Sequence, residues 1–417
     1  MQTFTLFFTL VFLAALALAT TLQFWLARRH ISHILTHKPQ VPAAFSDKIG
    51  LEAHQKAADY TVAKTRLSFI HIALDTIVLL AFTLGGGIEW LTQAWQGVFD
   101  SSLLEGTALL LSTLILMSAL EIPLSLYRAF GLEAKFGFNK LTPRLFVLDL
   151  AKQAALGLAL GVPLVLGVLW LMGTMGEYWW LYVWLAWVSF NLLIIAVYPT
   201  FIAPLFNKFT PLEDITLKTR IEALLEKCGF HASGLFVMDG SKRSSHGNAY
   251  FSGFGKTKRI VFFDTLLKNL NGDEIEAVLA HELGHFKRRH IMKRMAWLFG
   301  ASLVGLWVLA YLMQASWFYA GLGVTTQTPA TALLLFMLVS PVFTFLLHPL
   351  SARLSRKHEF EADQYAAQTS SAPALIHALV KMYEDNAATL TPDPLHSAFY
   401  DSHPPAGIRI ARLQTAS

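Results

Sequence analysis

The sequence predicts an all-α integral membrane protein: a seven-helix transmembrane bundle carrying a split, mainly helical cytoplasmic domain with one small β-hairpin. Of 417 residues, 54% are hydrophobic and 15% charged, and the mean hydropathy is +0.47. A water-soluble chain of this size has too much surface to cover with so few charges, so much of it must face lipid. Apolar runs of about 20 residues, the length that crosses a bilayer core, recur seven times. Lysine and arginine collect in alternate loops between these runs, as they do on the cytoplasmic side of membrane proteins.

The first run, about Phe4 to Leu26, has no small-residue cleavage site and is followed by further spans, so it reads as an anchor rather than a signal peptide. Later runs begin near Leu67, Leu103, Leu145, Trp179, Met295 and Ala332. The segment from Ala27 to Arg66 carries seven basic residues, Arg28, Arg29, Lys38, Lys48, Lys56, Lys64 and Arg66. The next loop, Ile88 to Ser102, carries none. Arg128, Lys135, Lys140 and Arg144 follow the third span, only Glu177 follows the fourth, and no charge falls between Ala315 and Ala330 after the sixth. Arg353, Arg356 and Lys357 follow the seventh. This alternation predicts an N-terminus outside and a C-terminus in the cytoplasm.

The expected organisation is a five-span membrane domain over 1–205, a first cytoplasmic part over 206–294, two further spans over 295–350 and a second cytoplasmic part over 351–417. The single cysteine, Cys228, excludes a disulfide framework within the chain and a cysteine-based metal site. The net charge of +5 is small. The basic cluster Lys287, Arg288, Arg289, His290, Lys293 and Arg294 leads into the sixth span, so it reads as an anchor at lipid headgroups, and no nucleic-acid partner is expected. His71, Asp75, Glu121, Asp149, Lys152, Asn191 and His348 fall inside or near spans. Each is costly against lipid, so each should face the bundle interior, paired or lining a wet cavity.

The stretch His281-Glu282-Leu283-Gly284-His285 carries the chemistry. On a helix His281 and His285 share a face and can offer two imidazole nitrogens to one metal ion, with Glu282 beside them to reach its water, which is the H-E-x-x-H zinc protease arrangement. Upstream, Asn271-Gly272-Asp273-Glu274 reads as a helix start, and Ile275, Val278, Leu279 and Leu283 recur at helical spacing. A catalytic zinc site needs a third protein ligand. The metzincin pattern would place Gly at 288 and His at 291, where this chain has Arg288 and Ile291, so that class is excluded. In Arg356 to Asp363, Glu359 and Asp363 lie on one helix face and Glu361 on another. Glu359 can ligate zinc while Asp363 accepts the outer N–H of a ligating histidine; equally, the three acids can form a solvated helix face. Asn248-Ala249-Tyr250, then Gly253, Gly255 and Arg259 to Phe263, read as a β-hairpin.

HELGH, EFEAD at 359–363 and SHPP at 402–405 together resemble the type I CAAX prenyl proteases, integral-membrane zinc endopeptidases that process prenylated proteins. EIPLSLYRAFGLEAKFGFNK (121–140), YPTFIAPLFNKFTPL (198–212) and NAYFSGFGKTKRIVFFDTLL (248–267) are similar to stretches of that family, so the resemblance spans nearly the whole chain. It implies one Zn2+ per chain held by His281, His285 and Glu359. Glu282 is then the general base, taking a proton from a metal-acidified water and later delivering one to the leaving amine. It also implies that His403 and Arg409 stabilise the developing oxyanion or bind substrate nearby. Asn248 and Ala249 would align an extended peptide by backbone or amide hydrogen bonds. The implied partners are a peptide or protein substrate, prenylated or not, and the lipid bilayer, with a water-filled chamber among the seven helices. Short external loops and no C-terminal retention signal favour a bacterial inner-membrane homologue that clears or processes membrane-associated polypeptides, or an endoplasmic reticulum protein if eukaryotic. Two other readings are a heat-shock membrane metalloprotease and a non-enzymatic transporter or scaffold with a structural zinc, for which Glu282 has no use.

Overall fold

The computed structural model describes residues 2–252 and 259–415. Gly253 and Gly255, at the expected hairpin turn, lie outside the described residues. Helix α1 spans Gln2–His37, α2 Leu51–Phe82, α3 Gly87–Trp95, α4 Ser102–Leu126, α5 Pro143–Thr174, α6 Trp179–Val197 and α7 Ala203–Phe206. Strand β1 (Phe209–Pro211), helix α8 (Ile215–Lys227) and strands β2 (Gly234–Met238), β3 (Ala249–Ser252) and β4 (Arg259–Phe263) follow. Next come α9 (Asp264–Asn269), α10 (Gly272–Lys287), α11 (His290–Leu312), α12 (Ser316–Ala320) and α13 (Pro329–Thr344). The chain closes with α14 (His348–Thr369), α15 (Ala372–Asp385), α16 (Pro394–Tyr400) and α17 (Ala406–Thr415).

Among the described residues seven helical segments, built on α1, α2, α4, α5, α6, α11 and α13, are long and apolar enough to cross a membrane. Their outer surfaces carry exposed large side chains such as Phe7, Trp25, Ile77, Ile115, Leu193, Trp297 and Trp307. Water would not tolerate so continuous an apolar surface, and lipid covers it without cost. Their shared core includes Phe12 and Leu16 of α1, Leu109 and Leu110 of α4, Leu169 of α5 and Leu334 and Leu335 of α13. The segment from Ala27 to Arg66, expected as a loop, is mostly helix. Polar helix formers carry α1 past its apolar part until Pro39 and Pro42 forbid continuation, and α2 starts directly after Gly50.

Most of the polar residues of the spans have partners. His71 lies 3.4 Å from Glu121. Asp149 takes a two-pronged contact from Arg243 at 2.8 Å each, Lys152 donates to the Leu205 carbonyl at 2.7 Å, and Asn191 donates to the Trp187 carbonyl at 2.7 Å. Asp75 and His348 line a cavity of about 310 Å³ with Thr20, Gln23 and Thr76.

The expected hairpin is present as the antiparallel pair β3 and β4, with Ala249 opposite Phe262 and Ser252 opposite Arg259. It belongs to a four-stranded sheet of order β1-β2-β4-β3, in which β2 runs parallel to β4 and β1 antiparallel to β2. The two additional strands carry little sequence signal. The run forming β2, Gly-Leu-Phe-Val-Met, is apolar without alternation, and β1 has three residues ending in proline.

The sheet, α8 to α10, α15 and α17 share one apolar core, in which Ile221, Ile260, Phe262, Ile275 and Leu279 pack with Leu375, Leu379, Ile410 and Leu413. Phe45 and Ile49, from the connection between α1 and α2, enter the same core. The two halves separated in sequence by a membrane hairpin therefore fold as one body. Helix α10 begins where the residues dictate: the Asn271 side chain accepts from Glu274 N–H at 3.0 Å, and the Glu274 carboxylate accepts from Asn271 N–H at 2.8 Å. Lys381 of α15 reaches the same carboxylate at 2.7 Å. Asn271→Ala removes one half of this reciprocal cap, and thermal denaturation of the detergent-solubilised protein should register a loss of about 1 kcal/mol.

Candidate functional site

Helix α10 carries His281, Glu282 and His285, and α14 carries Glu359 and Asp363. The two helices lie against each other at Gly284, where a Cβ atom would come within 2.9 Å of Ala362 Cα and 3.0 Å of its carbonyl oxygen. Only glycine allows this approach, and Ala362 meets it with a side chain of one carbon. The approach brings Glu359 opposite the two histidines.

The resulting distances are those of a metal centre. His281 Nε2 and His285 Nε2 are 3.2 Å apart, Glu359 Oε2 is 3.5 Å from His281 Nε2, and Glu359 Oε1 is 3.2 Å from His285 Nε2. Tetrahedral ligands about 2.1 Å from a zinc ion stand about 3.4 Å from one another. Among the described residues this is the group of three or more such side chains whose donor atoms converge to hold an ion. Glu359 Oε2 is buried and has no hydrogen-bond partner among the described residues, as expected of an oxygen aimed at a cation. Burial works against charge on His281, but hydrogen bonds to Asp363 and Glu359 raise it to about 9, so the site favours a positive charge at its centre. The residues present fit a metal ion.

Behind the three donors lies a buried ion pair. His281 Nδ1 is 2.8 Å from Asp363 Oδ1, which fixes the ring with Nε2 towards the centre. Arg409 of α17, 5% exposed, donates from Nε and Nη2 to the two oxygens of Asp363 at 2.8 and 2.6 Å. Its Nη1 stands 3.8 Å from Glu359 Oε2. Burial raises the carboxyl of Glu282 above its ordinary range, and the neighbouring imidazoles of His281 and His285 only partly oppose this. A carboxyl raised in this way holds a proton more readily than an ordinary one, which suits a group that must take up and return it.

His403, in the connection between α16 and α17, is exposed, with Nε2 3.5 Å from Glu359 Oε1 and Nδ1 3.0 Å from Ser402 Oγ. Arg356 of α14 holds this connection in place by donating to the carbonyls of Ser397 and Asp401 at 3.0 and 2.8 Å. Asn248 and Ala249 lie where β3 begins, at the open edge of the sheet, and β3 packs against α10. The Asn248 carbonyl accepts from Phe263 N–H at 2.9 Å and its side-chain oxygen accepts from Ala249 N–H at 2.8 Å. By the alternation of an antiparallel ladder, the main chain of Ala249 faces the free edge.

His281, His285, Glu359, Asp363, Arg409 and His403 thus come together from three segments far apart in sequence. One expectation needs correction: His290, grouped with the basic headgroup anchor, is buried and 3.0 Å from His285. Glu361, on a different helix face from Glu359 and Asp363 as expected, pairs with His290. In the sequence Arg356 reads only as a basic residue after the seventh span, with no sign of a role at the site. Gly284 was legible only as an unspecified position of the motif, and nothing in spacing shows that Arg356 reaches a connection 45 residues downstream.

Models of two protein families match the chain: the CAAX prenyl protease N-terminal region, five membrane helices, over residues 30–208, and peptidase family M48 over residues 211–417. A CAAX prenyl protease 1 homolog of Oryza sativa subsp. japonica is 35% identical over 396 residues, covering 91% of each chain. The chain belongs to the CAAX prenyl protease family. CAAX prenyl protease 1 of Saccharomyces cerevisiae is 33% identical over 411 residues, covering 91% of this chain and 89% of that one. The crystal structure of S. mikatae Ste24p matches with a TM-score of 0.90 and 32% identity, covering 97% of this chain and 99% of that one. As a member of this family the chain is a multi-pass membrane metalloprotease, and neither a heat-shock protease of different architecture nor a non-enzymatic scaffold is favoured.

Two measurements test the geometry. Gly284→Ala forces the α10 and α14 backbones apart, so it should destabilise the protein by about 1–3 kcal/mol. Metal retained after dialysis against a chelator should fall with it. Because a metal ion displaces the His281 proton, affinity measured by chelator competition should drop about tenfold per pH unit below about 9 and level off above it.

Proposed function

We propose that the protein is a zinc endopeptidase with one Zn2+ per chain, held by His281, His285 and Glu359, that cleaves membrane-associated proteins, with prenylated Cys-a-a-X chains as the preferred class. The observation that carries this reading is the convergence of three donors at 3.2–3.5 Å beside Glu282. The chain around them aligns over nine-tenths of its length with proteases named for CAAX prenyl substrates. When bound, the zinc ion supplies Lewis acidity towards the scissile carbonyl and lowers the pKa of a water.

Glu282 receives the proton of the attacking water and returns one to the leaving amine, which its raised pKa permits. Asp363 holds the ring of His281, and Arg409 neutralises Asp363 from behind. Two of the guanidinium nitrogens are committed to Asp363, so Arg409 acts through that carboxylate rather than on the reacting carbonyl. His403, exposed at the mouth of the site, is placed to donate to the oxyanion or to substrate. Ala249 at the free edge of the sheet aligns the substrate backbone as an added strand, with Asn248 holding its N–H until substrate arrives. The alternation of basic loops supports an orientation with the N-terminus outside and the catalytic domain in the cytoplasm.

The test is hydrolysis of two fluorogenic peptides by the purified, zinc-quantified protein, one prenylated at a Cys-a-a-X end and one unmodified. Cleavage should favour the prenylated peptide. Glu282→Gln should lower kcat about 10²–10⁴-fold while leaving zinc content unchanged. Equal cleavage of both peptides would replace the prenyl preference with general processing of membrane-associated chains, and full activity in Glu282→Gln would remove the mechanism.

A further inference from the structure

The two ligand histidines are oriented by different means. His281 meets the carboxylate of Asp363 directly. Among the described residues no carboxylate meets the outer nitrogen of His285: its Nδ1 lies 3.0 Å from Nδ1 of His290, and His290 Nε2 lies 3.0 Å from Glu361 Oε2. We propose that His290 and Glu361 form a second positioning arm, which holds His285 in its metal-binding tautomer and orientation and so sets metal affinity.

The chain of hydrogen bonds can run in only one direction. A carboxylate only accepts, so His290 must carry its proton on Nε2 and present Nδ1 as an acceptor. His285 must then donate from Nδ1, which leaves the lone pair of its Nε2 facing His281 Nε2 and Glu359. The ring of His290 is held at both nitrogens and on one face. It is 2% exposed, and the ring of His358 stacks on it at 4.0 Å with 13° between planes. Helix α14 thus presents two faces to the centre: Glu359 and Asp363 towards His281, and His358 and Glu361, three positions apart, towards His290.

The backbone supports the same conclusion. Between α10 and α11 the chain passes through Arg289 at φ 56° and ψ 35°, a left-handed conformation. A non-glycine residue adopts this conformation only at a cost, because its Cβ crowds the backbone. That turn reverses the chain directly into His290 and returns its ring to His285. A position that served only to anchor headgroups would require neither the turn nor the burial.

This inference rests on the metal centre proposed above, so the experiment keeps the two apart. Zinc affinity of the full-length, detergent-solubilised protein is measured by competition with a chelator. Far-UV circular dichroism checks the fold, and the visible spectrum of the Co2+-substituted protein reports ligand geometry. His290→Ala should weaken zinc binding about 10–100-fold and alter the cobalt spectrum. His290→Gln, whose amide oxygen can accept from His285 Nδ1, should recover most of the loss. Wild-type affinity and an unchanged spectrum in His290→Ala overturn the proposal, and so does an equal loss in both variants, which would mean packing alone. Should His290→Ala fail to fold, Glu361→Ala, at a partly exposed position, decides: weakened zinc binding in a folded protein supports the arm, and wild-type affinity overturns it. A wild-type protein that binds no zinc would instead remove the metal centre itself.

Discussion

The contact between α10 and α14 at Gly284 and Ala362 sets the geometry on which the site depends. An added carbon at Gly284 would lie 2.9 Å from the opposing backbone, so the separation of the helices is fixed by the absence of a side chain. At that separation Glu359 stands opposite His281 and His285 at ligand distance, and Asp363, one turn further on, reaches the outer nitrogen of His281. Burying two carboxylates and an arginine here would be strongly unfavourable if any one lacked a partner. Arg409 resolves this by pairing with Asp363 while facing Glu359, and the three convergent donors call for a cation.

The same body is tied to the membrane bundle through polar contacts. Arg243, in the connection before β3, is clamped to Asp149 of α5 and donates to Asn207 at 3.0 Å. Three residues on, His246 meets Asn386 at 3.0 Å and stacks on Phe138, while Glu133 accepts from Tyr60 of α2 at 2.7 Å. Glu133 ends a π-helical turn that continues α4 just after Pro123, where the missing N–H has already loosened the regular helix. The edge strand that begins at Ala249 is therefore held by residues of α2, α4 and α5 as well as by its own sheet. Membrane and peptidase parts thus position the site together.

The sequence made some parts legible because local chemistry alone decides them. Seven apolar runs must become helices, since lipid leaves backbone polar groups no other partners. Asn271 and Glu274 mark the start of α10 because both halves of a reciprocal cap lie within one turn. HELGH shows two ligands and a base because i and i+4 share a face on any helix. What stayed hidden depended on partners distant in sequence. Strand β2 reads as an undifferentiated apolar run until β4 pairs with it, and Phe45 and Ile49 look like loop residues until α17 and the rest of the core close over them.

From residues alone, then, follow the membrane class, the spans, the zinc motif and, through resemblance, a candidate third ligand, because each is encoded in periodicity or in a short pattern. Tertiary structure decided which of the three acids on α14 faces which histidine. It also placed His290 against His285, and Arg409 against the carboxylate of Asp363. Helical spacing tells which residues share a face but not what that face meets. Here the answer came from a glycine contact, a left-handed turn at Arg289 and a buried core drawn from segments separated by two membrane spans.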